Sequence, residues 1–173
     1  MNKKYELLKD DTIEIGEGHY AIVLYRIKSL KDFGDVRAGD LGGYVESEDN
    51  LSHEGTAWVY DGARVCGDAE VSEDAQIHDG TVISGRVKVY GNTCTYGDVQ
   101  IRGNARVFGT VKLVNGTIVR DESVIYGKSY IKDSIICGES HIKSSDVYSS
   151  YINNSHLGGD VVKNESIIDG EYV

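Results

Sequence analysis

The sequence predicts an all-β protein: a single-stranded parallel β-helix of three sides, closed at its start by a β-hairpin. Three observations predict it. A six-residue repeat runs unbroken from Ala57, each repeat ends in turn-forming residues, and the composition holds no proline, 21 glycines and 12 tyrosines. That mix suits many short strands joined by tight corners. The 173 residues make one extended body, divided into a hairpin cap and lead-in over 1–56, a hexapeptide coil over 57–128 and a five-residue continuation over 129–173.

The first element is the hairpin, with Thr12 to Ile15 as one strand, Gly16-Glu17-Gly18 as the turn and His19 to about Ile27 as the other. A coil end presents unpaired backbone groups, so a capping element there is expected on physical grounds. The lead-in from Lys31 supplies turns. Asp32-Phe33-Gly34 shares three letters with a kinase signature but lacks the accompanying loops. Gly39-Asp40-Leu41-Gly42-Gly43 lacks the Lys-Ser/Thr of a phosphate loop and reads as a turn.

Next come the hexads, AWVYDG, ARVCGD, AEVSED and so on to SVIYGK at Lys128. The third position is aliphatic in eleven of twelve units, from Val59 and Val65 to Ile125, with Thr95 the exception. The first position is small, as expected of an inward residue two places before a large one. The fifth and sixth positions collect Gly, Asp and Asn, which tolerate the positive φ of a corner. A period of six does not match the 3.6 of a helix. Three hexads make an eighteen-residue turn, and turns stacked about 4.8 Å apart pair with one another.

From Ile131 the large residues step to Ile136, Ile142, Val147, Ile152, Leu157, Val162 and Ile167, mostly at intervals of five, with serines two places before several of them. Units such as SDVYS and SYINN resemble pentapeptide repeats, which implies a four-sided right-handed coil for this part.

Leu24-Tyr25-Arg26-Ile27, the run from Asp32 to Glu46 (DFGDVRAGDLGGYVE), Asn50-Leu51-Ser52 and Trp58-Val59-Tyr60 together resemble a family of phage and prophage hexapeptide-repeat proteins often labelled acyltransferases. The resemblance spans roughly residues 20 to 128. It implies a left-handed β-helix in a phage or bacterial setting, with a host protein as the partner. Fold of this kind does not fix activity.

Composition narrows the function further. A formal net charge of −10 opposes direct binding to nucleic acid or an anionic membrane, which needs a basic face. No apolar stretch is long enough to span a bilayer, and the start lacks a signal-peptide core, so a cytoplasmic location is expected. Cys66, Cys94 and Cys137 show no metal-ligand spacing and read as reduced, packed thiols. No metal or cofactor is expected.

An acyltransferase of this fold uses a histidine base between subunits of a trimer and binds coenzyme A along the coil. His78 is the candidate, with Asp79 beside it, but no loop grows from residues 57–128 to shape a substrate pocket. Enzymatic activity is therefore not the favoured expectation, and a homo-oligomer is left open. The outward fourth position is more informative. Residues eighteen apart stack, so Tyr90, Phe108 and Tyr126 form an aromatic strip, Tyr60, His78 and Tyr96 a second ladder, and Arg102 and Arg120 part of a third. An acidic patch that includes Asp68, Glu70 and Asp74 offers a surface for a basic site on a partner such as a nuclease. The resulting expectation is a non-enzymatic protein-binding module, probed through Tyr90, Phe108, Tyr126, Arg102, Arg120 and the acidic patch, that inhibits a host defence or DNA-processing protein. The alternatives are a coenzyme A-dependent acyltransferase and a structural phage component.

Overall fold

Each hexad in the computed structural model, which describes residues 3–16, 18 and 21–172, contributes a strand built on its second and third residues. Every strand pairs in parallel with the one a full turn on, as Val59 with Ile77 and Val65 with Ile83. Three sheets result, of eleven, seven and six strands. We call them the cap face (coil strands Arg64–Val65 to Ser166–Ile168), the histidine face (Trp58–Val59 to Val161–Lys163) and the aromatic face (Glu70–Val71 to His156–Gly158). The third-position column fills the axis, with Val65, Ile83, Ile101 and Val119 all at 0% exposure. This is a three-sided parallel β-solenoid.

The corners follow from φ. From Gly67 to Gly127 every fifth-position residue lies in the left-handed region, including Glu73, Asp79, Asn115 and Asp121. Glycine is required where rungs touch: a β-carbon at Gly91 (φ 73°) would lie 2.6 Å from the Gly109 nitrogen. Corner carboxylates bind the next rung, Glu73 Oε2 accepting from Gly91 N at 2.9 Å and Asp79 Oδ2 from Gly97 N at 2.8 Å. Part of the acidity thus serves the corners.

Thr95, the one polar residue of the inner column, is fully buried but satisfied. Its Oγ1 receives the Thr81 hydroxyl at 2.9 Å and the His78 N–H at 3.2 Å, so the hydroxyl is not left stranded in an apolar core.

The four-sided coil implied for the five-residue units is not formed. After Tyr126 the strands stay on the same three faces, and register partners draw closer: Ile125 pairs with Ile142, Ile142 with Leu157, and Ile152 with Ile167. Each shortened side turns on one left-handed residue, such as Ser144, Ser149, Asn154 or Asn164. The serine column explains how. Ser150 Oγ donates to Tyr148 O at 2.7 Å and accepts from Glu165 N, one turn on, at 3.1 Å. Ser145 and Ser155 repeat the pattern. A small inward hydroxyl thus supplies an acceptor for the next turn's N–H at each shortened corner while donating to a carbonyl that also accepts a backbone N–H from the next turn.

The cap differs from its expected outline. Strand β1 spans Tyr5–Ile15, longer than the predicted Thr12–Ile15, with an irregularity between Leu8 and Thr12, and pairs antiparallel with β2, Ile22–Ser29. Glu17 of the predicted turn and His19 lie outside the described residues. The Gly39–Gly43 segment is not a plain turn, because Leu41–Val45 forms β3, antiparallel to β2 and parallel to Arg64–Val65. Its glycines serve close approach: a β-carbon at Gly43 would lie 2.4 Å from Ala63 O.

The cap also satisfies the first rung. Asn50, buried, donates from Nδ2 to Gly67 O and Ala69 O at 2.8 and 2.9 Å. Leu51 bridges Val71. Lys4, fully buried, donates from Nζ to Ala57 O at 2.8 Å. Backbone groups that would otherwise face solvent or a second chain are thereby paired. Among the described residues no helix is long and apolar enough to cross a membrane.

Candidate functional site

Alternation along each short strand turns the second and fourth positions outward, and stacking lines them into columns. On the aromatic face one column reads Glu70, Lys88, Arg106, Val124, His141 and His156 in successive register. The other carries Tyr90, Phe108 and Tyr126, with Lys143 in register beyond Tyr126. Tyr90 and Phe108 stack at 4.9 Å with planes 2° apart, and Phe108 and Tyr126 at 5.4 Å and 16°. All three rings are half-buried. Because their faces are turned to one another, what they offer outward is a strip of ring edges and two hydroxyls.

Beside the strip runs an open groove of about 750 Å³, lined among others by Arg86, Lys88, Tyr90, Arg106, Glu122 and His141. Lys88 is paired with Glu70 at 3.1 Å. Arg86 Nε donates to Asn104 Oδ1 at 2.9 Å, and Asn104 in turn donates to Glu122 at 3.4 Å. The exposed rings of His141 and His156 meet edge to face at 4.6 Å.

His78 is differently placed. Its ring is sandwiched between Tyr60 at 3.9 Å and Tyr96 at 4.7 Å. Nε2 is shut from solvent and has no hydrogen-bond partner among the described residues. Burial lowers its pKa below the usual histidine range, against the opposing pull of Asp79 and Asp35. Tyr60 donates to Asp35 of the lead-in at 2.6 Å, and burial, reinforced by that carboxylate, raises its pKa. A general base must reach its proton, and in this arrangement the His78 ring is instead a packed member of the coil ladder, which Tyr60 ties to the lead-in through Asp35.

The remaining sequence-predicted residues are scattered. Arg102 and Arg120 stand on the cap face, away from the aromatic strip, with Arg120 at 3.9 Å from Asp121. Asp68 lines a depression between cap and coil with Glu46, Asp49 and Glu70. Asp74 accepts from Thr56 at 2.7 Å, Glu46 from Gly67 N at 2.7 Å, and Asp61 pairs with Arg26 at 2.7 Å. Asp74 of the acidic patch, with Glu46 and Asp61, therefore holds the fold. Cys66 and Cys137 are buried and Cys94 half-buried, all free thiols. Among the described residues no three His, Cys, Asp or Glu side chains converge as a metal site.

Sequence reasoning found the strip but missed its cationic flank. The second-position column, read at the same eighteen-residue spacing, carries that signal as far as Val124. Lys143 and the histidines join the face only through the shorter turns that follow.

No protein-family model matches the chain. Over 40 residues it is 42% identical to YdcK of Escherichia coli (strain K12), described as an uncharacterized acetyltransferase. The matched stretch is 23% of this chain and 12% of YdcK, so the likeness covers a minor part of either protein.

Proposed function

We propose that the chain is a protein-binding module that docks a partner on its aromatic face. The observation that carries this reading is the Tyr90–Phe108–Tyr126 ladder, three half-exposed rings on a flat, regular face. Aromatic side chains offer large contact area at low entropic cost and concentrate in protein interfaces. In the phage setting that the family resemblance implies, the partner is a host protein, and inhibition of a defence or DNA-processing protein follows from that setting. The test is a comparative pull-down from host lysate with wild type and a Tyr90→Ser/Tyr126→Ser variant. The reading expects one stoichiometric protein retained by the wild type and lost by the variant, whose circular dichroism is unchanged. Equal recovery on both baits would overturn it.

A second reading, a coenzyme A-dependent acyltransferase, is favoured by the stretch shared with YdcK. Under it the exposed His141 and His156, rather than the covered His78, have rings open to a substrate. Retention of acetyl coenzyme A by the purified protein, lost on His141→Ala, would support that reading.

A further inference from the structure

The formal charge of −10 is not spread evenly, and its placement bears on what the aromatic face can hold. Acidic side chains concentrate at corners and in the cap, where Glu73, Asp79 and Asp121 accept backbone N–H groups from the next rung. In the outward columns of the aromatic face Lys88, Arg106 and Lys143 stand against one carboxylate, Glu70, already paired with Lys88; the adjoining groove adds Arg86 and two further carboxylates, Glu122, which accepts from Asn104, and Glu139. Lys143 Nζ lies 6.0 Å over the Tyr126 ring, closing the far end of the ladder with a cation.

Ring geometry narrows the ligand. A base or sugar ring binds aromatic side chains by stacking on an open face, and the Phe108 ring has its two faces engaged by Tyr90 and Tyr126. The outward edges carry the positive rim of the ring quadrupole, which attracts carboxylates, as do Arg106 and Lys143. We infer that the aromatic face takes an acidic segment of a protein partner, its carboxylates on Arg106 and Lys143 and its apolar side chains on Val124, Phe108 and Tyr126. This rests on the protein-binding reading above. The overall negative charge of the chain does not forbid it, because charges more than about 8 Å away are largely screened at physiological salt.

The probe is a fluorescein-labelled peptide of repeated Glu-Glu-Leu, titrated with the full chain by fluorescence anisotropy, with repeated Lys-Lys-Leu and oligothymidylate as comparators. The inference expects saturable binding of the acidic peptide alone. Arg106→Glu/Lys143→Glu should weaken it about tenfold or more, while Lys132→Glu/Lys163→Glu on the histidine face, equal in charge change, should leave it within about twofold. No binding, equal loss in both variants, or equal binding of oligothymidylate overturns the inference. If the acidic peptide fails while the pull-down still depends on Tyr90 and Tyr126, this inference falls and the protein-binding reading stands. If both fail, both fall.

Discussion

Replacing Gly91 by alanine tests rung-on-rung stacking more sharply than a core truncation, because matched controls exist in the same molecule. Gly91, Gly39 and Gly159 all have positive φ, at 73°, 96° and 80°, so alanine at each costs about 1–2 kcal/mol in backbone conformation. They differ in what a β-carbon meets. At Gly91 it would lie 2.6 Å from Gly109 N and 2.8 Å from Gly109 O, backbone atoms of the next turn, whereas at Gly39 and Gly159 nothing lies within 4 Å. Forcing the rungs apart adds about 1–3 kcal/mol of overpacking, for a total of about 2–5 kcal/mol at Gly91. Equilibrium urea unfolding followed by circular dichroism reads the difference directly. In thermal scans each kcal/mol corresponds to about 2–4 °C for a chain of this size. Equal destabilisation by Gly91→Ala and Gly159→Ala would refute the reasoning, since it would leave only the shared φ cost.

Ser150→Ala removes a hydroxyl that bridges Tyr148 O and Glu165 N, and urea unfolding should show a loss of about 1–3 kcal/mol; no loss would mean that the serine column does not hold the short corners. Lys4 yields a pH prediction. Burial, with a smaller push from Lys31, lowers its pKa from 10.5 to about 8, so between those values the unfolded chain keeps a proton that the folded chain has lost. Its contribution to stability therefore rises with pH across that window, by up to about 1.4 kcal/mol per unit. Cys66 and Cys94, whose thiols burial pushes up, work in the opposite sense over part of it. The measurement is accordingly the difference in unfolding free energy between wild type and Lys4→Met from pH 7 to 10, which should climb with pH; a flat difference contradicts the placement of Lys4.

The hexad coil was legible because each level of the sequence repeats the same instruction: an aliphatic third position, a small first position and a corner residue suited to left-handed backbone. The aromatic ladder was legible for the same reason, as Tyr90, Phe108 and Tyr126 lie one eighteen-residue turn apart. Where that redundancy ends, reading failed. The five-residue units share their spacing with four-sided coils, and only the hydrogen bonds of Ser145, Ser150 and Ser155 show how three sides survive with shorter corners. Strand β3 was hidden because Gly42 and Gly43 look like turn residues, whereas the close pass of the Ala63 backbone is what demands them. His78 illustrates a third limit. Its hexad position was plain, but whether its ring would be open to substrate depended on Tyr60 and Tyr96 closing over both faces.

The placement of Lys143 beside Tyr126, and with it the cationic end of the aromatic face, depends on the three-sided coil continuing past residue 128. A cysteine cross-link tests this directly. In a background with Cys66, Cys94 and Cys137 changed to alanine, two pairs are compared under mild oxidation: His141→Cys with His156→Cys, and His141→Cys with Val161→Cys. His141 and His156 are register partners on adjacent rungs, at the roughly 5 Å strand spacing within which a disulfide closes. Rapid disulfide formation in the 141/156 pair and none in the 141/161 pair is the predicted result. Closure of 141/161 instead, the pairing of a four-sided coil with five residues per side, would contradict it.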